Sequence, residues 1–231
     1  MAVLLDNTSP YRPIESWIYD RVIAPAVLEL VAPVDKLVLD ILRNGAKILE
    51  VGCGGGHLAE HIAQRRSDVS LWGVDLSPEQ IRHSEKRCRA WQSRLTFVQG
   101  TALDLKFPDG SFDAVISVAS VKHWPDKIQG LRECVRVLSP KGVLNIVEAD
   151  RGCHLDDARA FVDKWRIAGV FRSIALFWFR TYVAGQSIDL DEARTMLEAL
   201  DLSEQRVERI PGTPGLLMFG QKEGSPAEQH L

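Results

Sequence analysis

The stretch Ile48-Leu49-Glu50-Val51-Gly52-Cys53-Gly54-Gly55-Gly56 joins an apolar strand, an acidic residue and a glycine-rich turn. Glycines at alternate positions let the backbone of a turn come close to a small ligand, because no side chains intervene. The strand Leu71-Trp72-Gly73-Val74 follows about twenty residues later and ends in Asp75, whose carboxylate can accept hydrogen bonds from a ribose diol. These two features together predict a binding site for a cofactor that contains a nucleoside.

The spacing of the glycines narrows the choice of cofactor. The dinucleotide fingerprint G-x-G-x-x-G would place its third glycine at His57, whereas this turn has G-x-G-x-G and contains no P-loop lysine. Glu50 is badly placed for a pyrophosphate and well placed for a cationic amine or sulfonium. The pattern resembles that of the class I S-adenosylmethionine-dependent methyltransferases, in which this strand and turn bind the methionine end of the cofactor. An ordinary strand-to-helix turn remains the alternative.

Strands and helices alternate from Lys47 onwards, which predicts a parallel sheet with helices on both faces. The resemblance implies an α/β Rossmann-like methyltransferase fold, a doubly wound, seven-stranded and mostly parallel sheet with an antiparallel last strand. We expect a helical N-terminal cap over residues 1–45, a methyltransferase domain over 46–222 with a helical insertion at about 151–200, and a disordered tail over 223–231. The predicted strands are 47–51, 70–75, 95–99, 112–118, 143–147, 204–209 and 216–222. The helix that begins at Ser77-Pro78-Glu79 is predicted to reach about Trp91, and another helix is predicted over 156–170.

Ligands of a doubly wound sheet bind beyond the carboxyl ends of its strands, so residues at those ends are the candidates for holding S-adenosylmethionine. The segment Gly100–Asp113 resembles the one that holds the adenine in this family, where an aspartate often follows the glycine. Thr101 stands there instead, and its hydroxyl can still accept the hydrogen bond. The resemblance covers about 48–147. The predicted cofactor-binding residues are Tyr19, Glu50, Gly52, Cys53, Gly54, Asp75, Leu76, Gln80, Thr101, Ala102, Leu103, Ser117 and Val118.

His123 and Glu148 are the two candidate catalytic bases. The unperturbed pKa of histidine lies near neutrality, which suits proton transfer, although His123 can equally pack beneath the methionine end. Glu148 ends the fifth strand on the expected acceptor side, and Asp150 and His154 follow it. Each of these three side chains can alternatively form a salt bridge or cap the next helix.

Composition limits the classes of partner. The chain has 231 residues, 45% of them apolar, and a net charge of −3, so we expect no broad attraction to nucleic acid or to anionic membranes. The four cysteines show neither C-x-x-C pairs nor zinc spacing, which predicts free thiols and no metal site. We expect a cytoplasmic monomer or homodimer without a membrane span.

The expected reaction is methyl transfer from S-adenosylmethionine to a small-molecule acceptor by in-line displacement. Oxygen is the first choice for the acceptor atom, and nitrogen or carbon is the next. A protein or RNA acceptor is one alternative, and a non-catalytic accessory protein that binds the cofactor is another. Aromatic residues lead us to expect that residues 8–20 and 170–185 roof the acceptor pocket. For the apolar run Ile174–Phe179, an acceptor pocket, a dimer contact and simple core remain open.

Overall fold

The computed structural model describes residues 27–165 and 167–224, apart from the side chain of Glu29. Within them a seven-stranded sheet has the order β3-β2-β1-β4-β5-β7-β6. All neighbouring strands from β3 to β5 are parallel, and β7 runs antiparallel to both β5 and β6. The predicted fold class is therefore confirmed. The strands are β1 (Lys47–Val51), β2 (Ser70–Asp75), β3 (Leu95–Gln99), β4 (Phe112–Val118), β5 (Leu138–Ala149), β6 (Ser203–Arg209) and β7 (Gly215–Gln221).

Helices connect the strands, and polar side chains fix where several of them begin. Ser77 accepts a hydrogen bond from the Gln80 amide at 3.4 Å, and Asp126 and Asp189 cap two later helices in the same way. The α-helices are α1 (Ala32–Lys36), α2 (His57–Arg65), α3 (Pro78–Arg87), α4 (Lys127–Val137), α5 (Leu155–Asp163), α6 (Arg172–Trp178) and α7 (Leu190–Glu198). Short 3-10 or π turns occupy Leu28–Leu30, Leu37–Ile41, Arg89–Trp91, Val121–His123, Gly169–Phe171 and Phe179–Val183.

An apolar core covers each face of the sheet. Ile48 belongs to one buried cluster, and its neighbour Leu49 belongs to the other, because successive residues of a strand point to opposite faces. The strand order reverses between β1 and β4, which are direct neighbours. The carboxyl ends of these two strands therefore form the topological switch point at which such sheets bind ligands.

Three predicted boundaries were wrong. Strand β5 begins at Leu138 rather than Val143, because Leu138 already pairs with Phe112 ahead of a register shift. The helix predicted over 156–170 ends at Asp163, and the one predicted to reach Trp91 ends at Arg87. The predicted cap over 1–45 lies mostly outside the described residues, as does most of the predicted tail.

Candidate functional site

The glycine turn after β1 is held against the ends of two other strands. The amides of Gly52 and Cys53 donate to the carbonyl of Val74 at 2.7 and 3.0 Å. Gly52 has φ 77°, and a β-carbon there would lie 1.9 Å from Ser120 Oγ. A β-carbon on Gly54 would meet no atom of the described residues within 4 Å. The turn is therefore closely packed at Gly52 and open at Gly54, where a ligand can approach the backbone.

Asp75 ties the turn to the end of β2. Its Oδ2 accepts from the Gly54 amide and its Oδ1 accepts from the Ser77 amide, both at 2.9 Å. Burial raises the pKa of Asp75, and these two hydrogen bonds oppose the rise. A carboxylate has about four lone-pair sites, so Asp75 retains acceptor capacity for the hydroxyls of a ribose.

Glu50 is the most unusual side chain of the site. It is 3% exposed, and its Oε2 has no hydrogen-bond partner among the described residues. Burial, and then the nearby charge of Asp75, raises the pKa of Glu50 well above its ordinary value. A buried carboxylate without a partner is costly, and a cationic ligand would relieve that cost. The residues of this end therefore fit the positively charged methionine end of S-adenosylmethionine.

Two cavities meet at Gly52, which lines both. The first encloses about 680 Å³, part of it open to solvent, at the ends of β1, β2 and β3. The second lies on the Glu50 side of the turn. Of the predicted residues, the first cavity brings together Gly52, Asp75, Leu76, Thr101, Ala102, Leu103 and His123. The second brings together Glu50, Gly52, Cys53, Gly54 and Val118.

Ser77 and Ser120 line the first cavity, and sequence reasoning assigned neither of them. Both stand just beyond the carboxyl end of a strand, which is the signal that could have found them. Trp124 also lines this cavity, and its indole N–H donates to Ser120 Oγ at 3.1 Å. That hydrogen bond fixes the Ser120 hydroxyl above Gly52.

Thr101 lines the first cavity, and its hydroxyl makes one hydrogen bond within the loop after β3. Thr101 Oγ1 accepts from the Leu103 amide at 3.2 Å, which stabilises the loop after β3. The hydroxyl keeps one more lone pair and its own proton, so both donation and acceptance toward a ligand stay available. The adenine role of Thr101 stays a prediction.

Three predicted cofactor residues are not placed at either cavity. Gln80 and Ser117 are buried, and the side-chain amide of Gln80 and the hydroxyl of Ser117 have no hydrogen-bond partner among the described residues. Neither side chain is among those that line the two cavities. Tyr19 lies outside the described residues. Their cofactor roles stay predictions.

The two candidate bases differ in surroundings. His123 lines the first cavity, whereas Glu148 is completely buried. Glu148 accepts from Lys122 Nζ at 2.9 Å, from the Lys122 amide at 3.2 Å and from the Ala149 amide at 2.9 Å. Burial alone would raise the pKa of Glu148, but Lys122 brings it below its ordinary value. This geometry favours a structural ion pair for Glu148, and its base role stays a prediction.

Asp150, like Glu148, is held by hydrogen bonds within the protein. It is completely buried, and its Oδ2 accepts from Arg209 Nε at 2.6 Å while its Oδ1 accepts from the Gly152 amide at 2.7 Å. His154 is exposed at the start of α5.

Over residues 27–165 and 167–224, no group of three or more His, Cys, Asp or Glu side chains could hold a metal ion. In the same part of the chain, no helix is long and apolar enough to cross a membrane.

Comparison with known proteins points to one family. Residues 49–146 match the methyltransferase domain family. The chain is 31% identical over 186 residues to a fatty-acid O-methyltransferase of Mycolicibacterium smegmatis, covering 80% of this chain and 62% of that protein. It is 36% identical over 107 residues to ajmaline N-methyltransferase of Rauvolfia serpentina, covering 46% of this chain and 36% of that protein. The chain thus spans less than two thirds of the length of these curated relatives.

A crystal structure of a methyltransferase from Aquifex aeolicus shares the fold. Its TM-score to this chain is 0.66 at 15% identity, with 92% of this chain and 99% of that chain covered. That protein is a methyltransferase that depends on S-adenosylmethionine. The matched residues 49–146 contain the glycine turn, Asp75 and the loop after β3, which are the parts whose geometry fits the cofactor. Residues 49–146 therefore match the methyltransferase domain family, and the fold of the described residues is one that S-adenosylmethionine-dependent methyltransferases have.

Proposed function

We propose that this protein transfers the methyl group of S-adenosylmethionine to an oxygen atom of a small molecule. The observation that carries the proposal is the buried Oε2 of Glu50, which has no hydrogen-bond partner within 27–165 and 167–224 and lies beside the glycine turn. A relative named for O-methyl transfer to fatty acids matches 80% of this chain, which supports oxygen and a small acceptor. The net charge of −3 offers no general attraction to nucleic acid.

Each part of the site has a separate task in this proposal. Glu50 holds the cationic methionine end, Asp75 accepts from the ribose hydroxyls, and the loop at Thr101 borders the adenine. The bound cofactor supplies an electrophilic methyl group on its sulfonium. The protein contributes alignment of the acceptor opposite that group, which can lower the barrier by about 7–11 kcal/mol. His123, at the edge of the cavity, can take the proton of a weakly acidic acceptor, a contribution of about 10²–10⁴-fold.

Calorimetry with S-adenosylmethionine, S-adenosylhomocysteine and NAD tests the binding part of the proposal. We expect the first two to bind and NAD not to bind. Glu50→Gln should weaken S-adenosylmethionine binding by at least about tenfold, since it removes a charge-assisted contact. The matched control Glu85→Gln changes an exposed glutamate on α3 and should leave the affinity unchanged. Binding of NAD alone would refute the assignment.

Transfer is tested with methyl-labelled cofactor and a cell extract separated into small molecules, RNA and protein. Label in the small-molecule fraction supports the proposal, and label that becomes volatile on alkaline hydrolysis identifies an ester oxygen as acceptor. Label in RNA or protein would establish the macromolecular alternative instead. Cofactor binding without label in any fraction would favour the accessory-protein alternative.

A further inference from the structure

A third cavity lies in the helical insertion between β5 and α7. It encloses about 1030 Å³, part of it open to solvent, and is built by the loop after β5, by α5, by α6 and by the turn Phe179–Val183. Its lining begins at Arg151, two residues beyond the end of β5 at Ala149. The cavity therefore opens from the carboxyl edge of the sheet, the edge at which ligands of this architecture bind.

The lining of this cavity is positively charged. It includes Arg151, Arg159 and Arg180, and no acidic residue. Arg151 is paired with Asp189 and Glu192, and Arg159 lies 3.2 Å from Asp156. For Arg180, in contrast, the described residues provide neither a hydrogen bond nor an ion pair, so its guanidinium keeps its full capacity for an anion.

The electrostatic surroundings of Cys153 also indicate that Arg180 lies at the cavity wall. Burial and Asp150 raise the pKa of the Cys153 thiol, and the positive charge of Arg180 opposes that rise. Cys153 lines the same cavity and lies partly buried at its inner end, next to the completely buried Asp150. The guanidinium of Arg180 is therefore close enough to act on a group that faces the cavity.

One wall of the cavity, on α6, is apolar and open to solvent. Leu176 and Phe177 of α6 contribute to the wall, and Phe177 is 67% exposed. Ile174, one turn earlier on α6, is 65% exposed, and Phe171 precedes it at the same spacing. Contiguous exposed apolar side chains of this kind mark a binding surface.

We propose that this cavity binds an acidic group of the methyl acceptor, separate from the oxygen that is methylated, and that the acceptor is a small amphipathic organic acid. This inference rests on the proposed function, because it assigns the substrate class of the same enzyme. A carboxylate matches the planar fork of Arg180, and the apolar body of the acid lies on Leu176 and Phe177. The concave shape of the cavity favours a monomeric acid over a flat lipid surface.

Calorimetric titration of dodecanoate, kept below its micelle concentration, into the protein saturated with S-adenosylhomocysteine tests this inference. We expect dodecanoate to bind and dodecan-1-ol to bind at least about tenfold more weakly, since a carboxylate gains charge-assisted hydrogen bonds. Arg180→Gln should weaken dodecanoate binding by about tenfold or more and leave the alcohol unaffected. The control Arg172→Gln alters a neighbouring arginine that does not line the cavity and should change neither.

A second variant tests the apolar wall. Phe177→Ser should weaken dodecanoate binding more than butanoate binding, because the longer chain covers more of that apolar wall. Both variants change exposed side chains, and unaltered affinity for S-adenosylhomocysteine will show that they are folded.

Equal dodecanoate affinities in the parent and in Arg180→Gln would overturn the inference, as would the absence of dodecanoate binding. Binding only to vesicles that contain anionic lipid would overturn it in favour of a membrane contact. Failure of the proposed function is a separate result, since it appears as lost cofactor binding or lost methyl transfer with every acceptor, charged or neutral.

Discussion

Replacing Glu50 with methionine should stabilise the protein while abolishing its cofactor affinity. The side chain is 3% exposed, and its Oε2 has no partner among the described residues. A buried polar group left unsatisfied costs about 1–3 kcal/mol, and a methionine of similar shape removes it. We expect Glu50→Met to raise the free energy of unfolding of the ligand-free protein by that amount. For a chain of this size the corresponding rise in Tm is roughly 2–12 °C.

The stability that Glu50→Met adds relative to the parent should increase with pH. Burial, and then Asp75, raises the pKa of Glu50 in the folded protein. The folded protein therefore keeps a proton that the unfolded chain releases, and the stability present at low pH is lost as pH rises through the folded pKa. Methionine carries no such proton. The difference in stability between Glu50→Met and the parent should consequently be larger at pH 8 than at pH 5.

Thermal and urea unfolding of the ligand-free proteins at both pH values measure these differences, and calorimetry with S-adenosylmethionine measures the affinity. The control Glu85→Met alters an exposed glutamate and should shift the free energy of unfolding by less than about 0.5 kcal/mol. We expect Glu50→Met to bind the cofactor at least about tenfold more weakly. A variant less stable than the parent, or one with unchanged affinity, would refute the reasoning.

Three further substitutions test other parts of the site. Asp75→Ala should weaken cofactor binding by about 1–3 kcal/mol in calorimetry, while the exposed control Asp104→Ala should not; equal affinities would make Asp75 a purely structural residue. Gly52→Ala should lower both Tm and cofactor affinity far more than Gly110→Ala, because both glycines have positive φ but only the added β-carbon at position 52 would lie 1.9 Å from Ser120 Oγ. Similar losses in the two variants would mean that backbone strain alone matters. Lys122→Met should lower the free energy of unfolding, measured in urea, by about 3–5 kcal/mol, because it leaves Glu148 buried without its ammonium partner. Adding Glu148→Leu should restore most of the lost stability, and a double variant as unstable as the single one would contradict this account.

Much of the sheet could be predicted because its strands are locally encoded. Strands β1 to β4 have the predicted bounds. Of these, β1 and β4 are buried on both faces, and such strands appear as short continuous apolar runs. The start of β5 could not be predicted in this way, because Pro140 and Gly142 indicate a break while pairing with β4 extends the strand. In that case a contact between distant segments prevails over a local signal.

The helical insertion was predicted less well for a related reason. The apolar pattern favours one helix to residue 170, yet the helix ends at Asp163. Trp165 then packs against Phe161 and Phe179, with ring centroids 6.1 and 6.0 Å apart. The chain turns back so that these rings meet, and periodicity along the sequence carries no information on such a return.

The candidate site likewise has features that the local sequence encodes and features that depend on contacts between distant segments. The glycine turn and Asp75 could be predicted, because the chemistry of each lies within a few consecutive residues. The requirement for glycine at position 52 comes from Ser120, and the pairing of Glu148 comes from Lys122, which is 26 residues away. Neither contact can be inferred from spacing, since both depend on how β4 and β5 lie beside β1.

The two buried glutamates show how partners determine the role of a carboxylate in this fold. Glu50 and Glu148 are both buried near the carboxyl ends of strands. Glu148 is bound by an ammonium and two amides, so its pKa is lowered despite burial, and it has no need of a ligand. Glu50 Oε2 has no hydrogen-bond partner in the described part of the chain, and the pKa of Glu50 is raised. Because an unpaired buried charge is costly, only a group that arrives with opposite charge makes that position favourable. Glu148 thus stabilises the loop that carries His123, whereas we expect Glu50 to contact the cofactor, and the sequence pattern alone assigns both glutamates to the site.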